Sequence, residues 1–272
     1  MIISASRRTE IPALFSDWFF ERLAAGTVEV TNPFNPKQIR MVSLKPADVD
    51  GFVFWSKNPA PMLSRLSELQ DFVCYFQFTL NGYGREVELA VPAKGVLIET
   101  FQQLSARVGA GRVIWRYDPI FLANDFPVDW HLENFAGLAA ELSGATDTCI
   151  ISFGDVYRKN AKRISELNFR TPDEADIRKM AEGMSVIGRN HGLRLQTCAE
   201  KIDLSVYGVT HACCIDVERL SRLSGRSIAY VKDKNQRPEC GCAQSIDIGR
   251  YNTCRLGCLY CYASNCPANS KG

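Results

Sequence analysis

Short apolar runs alternate with longer amphipathic stretches along most of this chain. Six apolar runs predict buried strands, over residues 2–6, 52–55, 72–80, 112–117, 148–153 and 193–197. Between and after them, apolar residues spaced by three and four predict helices over residues 13–25, 62–69, 96–108, 130–142, 172–190 and 215–223. Thr171 followed by Glu174 predicts a capping box at the start of the 172–190 helix.

The regular alternation predicts an α/β protein with a parallel sheet and crossover helices. Six or more such units in 272 residues fit a (β/α) barrel, complete or partial, better than the runner-up, an open doubly wound sheet. Beyond residue 223 the pattern fades, and Gly, Pro, Asn and Cys dominate. We therefore interpret residues 1–223 as the barrel body. Residues 224–272 are interpreted as a cysteine-rich segment that packs on the barrel mouth within a single domain.

The composition is that of a globular protein with a substantial core, since 46% of the residues are hydrophobic and 23% are charged. The opening "MIISASRRTE" lacks the apolar run of a signal peptide, and no apolar stretch reaches membrane-spanning length. We expect a cytoplasmic protein without a membrane partner. Nine basic and three acidic residues follow residue 218, which keeps nucleic acid open as a partner. The favoured explanation is that these charges solvate a loop-rich end or offset the negative charge of a metal–thiolate site.

Polar residues follow the predicted strands. In a parallel barrel the carboxyl ends of the strands form the functional face, so these residues predict a lined pocket. Arg116 and Gln196 lie inside apolar strands, where a buried polar group without a partner costs about 1–3 kcal/mol. Both side chains are therefore expected to face a polar cavity.

Eleven cysteines in a reducing compartment indicate metal binding or catalysis rather than disulfides. Cys254, Cys258 and Cys261 have the spacing C-x3-C-x2-C, which matches neither the common ferredoxin spacings nor a zinc ribbon. Three thiolates so spaced can fold around one face of an iron–sulfur cube and leave one iron without a protein ligand. Gly257 allows this loop to curl, and the aromatic ring of Tyr260 can shield a cluster.

A second group consists of Cys198, Cys214, Cys240 and Cys242. Together they can form a four-thiolate site for zinc or for a second iron–sulfur cluster. The alternative is that Cys198, Cys213 and Cys214 are small buried apolar side chains, as free cysteines often are. Cys266 is a further candidate ligand, which would close the terminal site and make it structural.

The stretch "CRLGCLYCYA" closely resembles the cluster-binding loop of radical S-adenosylmethionine enzymes, and its "YA" is most similar to the spore-photoproduct-lyase-like branch. "FWSKNP", "VELAVP" and "RYDPI" loosely resemble other segments of that branch. The whole chain also resembles a bacterial family described as a domain of unknown function, through "SASRRTEIP", "TCAEK" and "DIGRYNTCRLGCLYCYA". Radical S-adenosylmethionine enzymes usually carry the cysteine loop after their first strand. A circularly permuted barrel would place the loop at this chain's end without moving it in space.

The resemblance implies a [4Fe-4S] cluster on Cys254, Cys258 and Cys261 that reductively cleaves S-adenosylmethionine, with a flavodoxin or ferredoxin as reductant. The substrate is unassigned, and nucleic acid remains a candidate. Arg116, whose planar fork suits a carboxylate, and Lys57 are the candidate catalytic residues. The candidate cofactor-binding residues are Asn58, Glu88 and Tyr260. The competing hypothesis is a non-catalytic barrel that binds zinc or an iron–sulfur cluster for stability or for a partner.

Overall fold

The computed structural model describes residues 1–265, and Cys266 lies outside the described residues. It has ten strands: β1 (Ile2–Ala5), β2 (Thr27–Asn32), β3 (Asn35–Ser43), β4 (Gly51–Ser56), β5 (Cys74–Thr79), β6 (Val113–Ile120), β7 (Thr148–Phe153), β8 (Arg194–Thr197), β9 (Thr210–His211) and β10 (Ile246–Asp247). The α-helices are α1 (Ile11–Leu14), α2 (Ser16–Ala25), α3 (Lys94–Val108), α4 (Val128–Glu141), α5 (Ala161–Glu166), α6 (Glu174–Asn190) and α7 (Val217–Ser224). Three 3₁₀ helices span Ala60–Leu69, Ala110–Arg112 and Ser205–Tyr207.

Eight of the strands form one parallel sheet in the order β10-β1-β4-β5-β6-β7-β8-β9. The prediction of an α/β protein with a parallel sheet is confirmed. The last strand of the chain lies beside the first, with Ile3 opposite Ile246. Among residues 1–265, the edge strands β9 and β10 do not pair with each other. The sheet is therefore open over these residues, which excludes a complete barrel and is consistent with a partial one.

Both faces of this sheet are buried, which explains why its strands read as continuous apolar runs. Since side chains alternate along a strand, one set of residues points to each face. One face packs against the helices, where Phe19, Phe54 and Phe76 belong to a large aromatic-rich core. The other face includes Val53 and Ile150 and is covered by residues 212–220 and 240–243. Residues shortly before β10 therefore help to cover this second face of the sheet.

The β2–β3 hairpin and the cap of α6 are among the features that differ from the sequence-based expectation. Strands β2 and β3 form an antiparallel hairpin outside the main sheet that the apolar pattern did not indicate, because most of β3 is exposed. Helix α6 is capped by Asp173, whose carboxylate accepts from the Asp176 amide in a capping box. The Thr171 prediction was wrong, since its hydroxyl donates instead to the carbonyl of Gly154.

None of the helices within residues 1–265 combines the length and apolar character needed to span a bilayer.

A candidate active-site cavity lined by two sets of cysteines

A cavity of about 630 Å³ opens at the carboxyl ends of the parallel strands. Six successive strands of the sheet each contribute a side chain to its lining: Ser6, Ser56, Thr79, Asp118, Ser152 and Cys198. This is the arrangement that the polar strand ends predict, because parallel strands bring their carboxyl ends to one edge. All seven cysteines proposed as metal ligands line this same cavity: Cys254, Cys258, Cys261, Cys198, Cys214, Cys240 and Cys242.

We call Cys254, Cys258 and Cys261 the cysteine triad. Their loop docks on the segment that follows β5 through backbone hydrogen bonds. The Leu259 amide donates to the Val87 carbonyl at 2.9 Å, and the Ala90 amide donates to the Leu256 carbonyl at 3.0 Å. These bonds frame a bridge between Glu88 and Cys258. The loop backbone is thus attached to the segment that follows β5, while the three thiols line the cavity.

Side chains from α5 and the residue before it hold the other side of the triad loop. The Arg163 guanidinium donates to the carbonyl of Leu259 at 2.8 Å and to that of Cys261 at 2.6 Å. The amide nitrogen of Asn160 donates to the Tyr260 carbonyl at 2.8 Å. Carbonyl groups that a curled loop would otherwise leave unpaired are therefore satisfied by protein donors.

Two of the triad thiols, Cys254 and Cys258, lie where ionisation without a nearby cation is unfavourable. Burial raises the pKa of Cys254 to about 12. Burial also raises the pKa of Cys258 well above its ordinary value, although the ammonium of Lys57 opposes this shift. At neutral pH both groups are therefore thiols until a positively charged ligand favours their thiolate forms.

Beneath the triad lies a buried network centred on Glu88, whose side chain is 2% exposed. The ammonium groups of Lys57 and Lys94 each lie 2.8 Å from a Glu88 oxygen, and the Tyr260 hydroxyl donates to the same carboxylate. Burial favours the neutral acid, but the two ammonium groups outweigh it and leave the pKa of Glu88 below its ordinary value. The structure thus brings together three residues that the sequence analysis singled out, Lys57, Glu88 and Tyr260.

Asn58 and Gln196 do not join this arrangement. The Asn58 side chain accepts from the Ala60 amide at 3.3 Å, at the start of the 3₁₀ helix, and does not line the cavity. Gln196 donates to the Thr210 hydroxyl at 3.3 Å and is likewise absent from the lining, so its expected orientation was wrong. It lies near the sheet edge, where a neighbouring strand rather than a cavity satisfies its amide.

We call Cys198, Cys214, Cys240 and Cys242 the cysteine quartet. The sulfurs of Cys198 and Cys214 lie 3.2 Å apart. The neighbouring Cys214 and Cys240 thiols both influence the pKa of Cys242, and all four side chains line the same cavity. The backbone amide of Ile215 also donates to the Cys242 sulfur at 3.4 Å.

Arg116 links the quartet to the cavity wall. Its side chain is almost fully buried, and it donates to the Cys214 sulfur at 3.0 Å and to Asp118 at 2.5 Å. Its guanidinium also lies 5.3 Å from the centre of the Trp55 ring. Burial favours the neutral form of Arg116, but the nearby sulfur and Asp118 outweigh it and raise its pKa well above the ordinary value. Arg116 faces the polar cavity, as its position inside an apolar strand predicts.

Two acidic residues of the cavity, Asp247 and Glu10, were not among the individual site residues predicted from the sequence. Asp247, in β10, accepts from the Ser6 hydroxyl at 2.5 Å and from the Arg7 amide at 2.8 Å. Glu10 accepts from the Ser56 hydroxyl at 2.7 Å, and burial raises the pKa of Glu10 above its ordinary value. Glu10 belongs to the polar group after β1 that the sequence does show. Asp247 carries no such signal, because its strand has only two residues.

Within residues 1–265, no group of three or more His, Cys, Asp or Glu side chains already has the mutual arrangement of a formed metal-binding site. In the quartet the Cys198 and Cys214 sulfurs are in direct contact. In the triad no hydrogen bond joins the thiols, as far as the described residues show.

Comparison with known proteins assigns a family and little beyond it. The model of a family described as a domain of unknown function, DUF1848, matches residues 2–263. No curated protein matches the chain. Among solved structures, a "putative alpha-L-fucosidase" from Bacteroides thetaiotaomicron is similar at 11% identity, with 68% of this chain and 76% of that chain covered. Its TM-score of 0.28 is too low to support an argument about fold or function.

Proposed function

Because the chain belongs to the DUF1848 family, a domain of unknown function, we propose its activity from the geometry of the cavity. The proposal is a radical S-adenosylmethionine enzyme that binds a [4Fe-4S] cluster through Cys254, Cys258 and Cys261. The cavity would hold S-adenosylmethionine together with a substrate that the chain does not identify.

The observation that carries this proposal is the position of β10 and the loop after it. β10 lies beside β1 at one edge of the sheet, and the triad loop follows it at the carboxyl ends of the strands. The resembling enzymes carry their cysteine loop after the strand that begins the barrel. A sheet whose spatial order starts with the chain's last strand fits a circular permutation of that plan.

The triad and its surroundings fit an iron–sulfur cluster. The triad thiols line a shared cavity, and the loop backbone is held from both sides by Val87 and Arg163. The cavity volume of about 630 Å³ also falls within the range of roughly 300–1,000 Å³ that is common for small-molecule sites. A bound cluster with one open iron would supply the coordination of S-adenosylmethionine, its reductive cleavage and the means of hydrogen abstraction from a substrate.

The remaining cavity residues would bind and orient. Glu88 keeps Lys57 and the Tyr260 hydroxyl fixed behind the triad, so that the Tyr260 ring forms a rigid wall. Arg116 is already engaged by Asp118, which limits its availability for a cofactor carboxylate. Arg7 also lines the cavity, and its guanidinium lies 5.8 Å from the Trp55 ring. Arg7 is therefore a second candidate to bind the carboxylate.

The test is anaerobic reconstitution with iron and sulfide, followed by reduction and addition of S-adenosylmethionine. We expect formation of 5′-deoxyadenosine and a cluster EPR signal that changes when the cofactor is added. The Cys258→Ser variant should lose both, whereas Cys213→Ser, which alters a partly buried thiol outside the cavity lining, should keep both. Cys266→Ala should also leave the cluster intact if one iron is open.

A stable cluster or bound zinc, with no cleavage and an unchanged EPR signal, would overturn the enzyme proposal. It would favour the competing hypothesis of a non-catalytic protein that uses its terminal cysteines to bind metal for stability or for a partner. Loss of the cluster in Cys266→Ala would point in the same direction, because a fourth cysteine ligand closes the site.

A further inference from the structure

The cysteine quartet occupies a distinctive place in the fold. Cys198 directly follows β8 and Cys214 follows β9, at one edge of the open sheet. Cys240 and Cys242 lie shortly before β10, which forms the opposite edge. The four thiols therefore meet where the chain crosses from one edge of the sheet to the other. No strand pairing bridges these edges within residues 1–265.

The quartet differs from ordinary buried cysteines in what surrounds its sulfurs. Cys149 is fully buried in the helix-side apolar core, as a small hydrophobic side chain is expected to be. The quartet instead lines a polar cavity and receives donors directed at sulfur, from Arg116 to Cys214 and from the Ile215 amide to Cys242. Donors that point at cysteine sulfur are characteristic of the groups that surround a metal–thiolate site.

We propose that Cys198, Cys214, Cys240 and Cys242 form a four-thiolate zinc site that ties together the two edges of the open sheet. This site is separate from the cluster of the proposed function and does not depend on it. Four cysteines are a common ligand set for structural zinc, and two of them can come from a short Cys-x-Cys segment such as 240–242.

The spacing of the sulfurs favours a single ion over a second iron–sulfur cluster. Tetrahedral zinc with bonds of about 2.3 Å places its sulfurs about 3.8 Å apart. The Cys198 and Cys214 sulfurs, at 3.2 Å, need to separate by only about 0.6 Å to reach this distance. The four cysteines of a [4Fe-4S] cluster each bind a different iron, so contact between their sulfurs does not suit that arrangement.

The charge of the site supports the same assignment. Zinc with four thiolates carries two net negative charges, which are costly to bury without nearby cations. The Arg116 guanidinium already contacts Cys214, and Arg7 lines the same cavity as Cys242. Metal binding here would also stabilise the fold, because it joins segments that are far apart in sequence.

The experiment measures zinc and iron per chain by mass spectrometry after anaerobic purification and treatment with a chelator. We expect about one zinc ion per chain in the unmodified protein and in a Cys254→Ser/Cys258→Ser/Cys261→Ser variant. The zinc content of the Cys240→Ser/Cys242→Ser variant should fall to near zero. The zinc content of the matched control Cys213→Ser should equal that of the unmodified protein. Absence of zinc from the unmodified protein, or iron in its place in the triad-free variant, would overturn the proposal.

The Cys240→Ser/Cys242→Ser protein could lose zinc simply by misfolding, so a single position of the quartet is tested as well. Cys198→His keeps a side chain that ligates zinc, so it should retain zinc, whereas Cys198→Ala should release it faster to a competing chelator. Cobalt added to the triad-free protein should give the strong visible absorption of a tetrahedral thiolate site. Equal zinc retention by the His and Ala variants would contradict the assignment. Because iron content and S-adenosylmethionine cleavage are measured separately, failure here is distinguishable from failure of the proposed function.

Discussion

The two sets of cysteines share one cavity but are built in opposite ways. The triad lies on a single short loop, and backbone contacts such as those to Val87 and Arg163 position it while its thiols remain apart. The quartet comes from three separate segments, and sulfur contacts such as Cys198 to Cys214 hold its members together. A loop with preset geometry and separated thiols suits an open reactive cluster. Thiols gathered from distant segments suit a closed structural ion.

The charged groups around the two sets also differ, since those behind the triad are buried and those beside the quartet reach the partly exposed cavity wall. Behind the triad, Glu88 is enclosed by two ammonium groups and the Tyr260 hydroxyl. Beside the quartet, Arg116 extends from the sulfur of Cys214 to Asp118 at the partly exposed cavity wall. A substitution in the network behind the triad should therefore lower both the stability of the protein and its iron content. A substitution beside the quartet should weaken zinc binding more than it disturbs the triad loop.

The largest effect is expected from Glu88→Ala on the triad side. It leaves Lys57 charged and buried without its partner, which should lower the free energy of unfolding by about 3–5 kcal/mol. Urea unfolding of the cluster-free protein measures this loss, and iron content after reconstitution should fall as well. The exposed Glu182→Ala serves as the control and should change stability by less than about 0.5 kcal/mol. Equal stability of the two variants would show that the network does not support the triad.

On the quartet side, Arg116→Met should have the next largest effect. It removes the partner of Asp118, which is only partly exposed, and should lower the free energy of unfolding by about 2–3 kcal/mol. Loss of the donor to Cys214 should also weaken zinc binding roughly 10–100-fold in a chelator competition. The zinc affinity of Arg116→Lys should lie between those of Arg116→Met and the unmodified protein, because lysine keeps the positive charge but lacks the planar guanidinium. Unchanged zinc affinity in Arg116→Met would separate Arg116 from the quartet.

A smaller and more local effect is expected from Arg163→Ala. It removes donors to the carbonyls of Leu259 and Cys261, at a cost of about 1–3 kcal/mol to the triad loop. Hydrogen exchange should become faster in residues 259–264, while zinc content stays constant. The neighbouring Lys162→Ala removes only an exposed ion pair with Glu166 and should cost less than about 1 kcal/mol. Slower or equal exchange in the Arg163 variant would mean that the loop holds its shape without this clamp.

The smallest effect is expected from Thr253→Val. The Thr253 hydroxyl donates its proton to the Arg250 carbonyl at 2.8 Å. It accepts from the Thr9 hydroxyl at 2.7 Å, and this second bond ties the start of the triad loop to the segment after β1. Loss of this bond should cost about 0.5–1.5 kcal/mol, measured by the midpoint of thermal unfolding. Thr253→Ser keeps the hydroxyl and should retain most of the stability. A larger loss in the Ser variant than in the Val variant would rule out the hydrogen bond as the cause.

Much of this protein could be predicted from local pattern. The strand predicted over residues 148–153 has the same bounds in the structure, because the strand itself is a mostly apolar run. The polar strand ends predicted the cavity, since parallel strands place their carboxyl ends together. The triad could be recognised because its three thiols lie within eight residues, 254–261.

Features that depend on contact between distant segments were not accessible in this way. Glu88 and Tyr260 are 172 positions apart in the chain, and only folding brings the carboxylate and the hydroxyl together. The sequence suggests Cys198, Cys214, Cys240 and Cys242 as a candidate group, but separate segments supply them, and only the fold brings the Cys198 and Cys214 sulfurs to 3.2 Å. β10 has two residues and no periodicity of its own, so its pairing with β1 is set by the register of the sheet. Local sequence thus encodes the strands and the triad, whereas long-range packing assembles the quartet, the Glu88 network and the open edge.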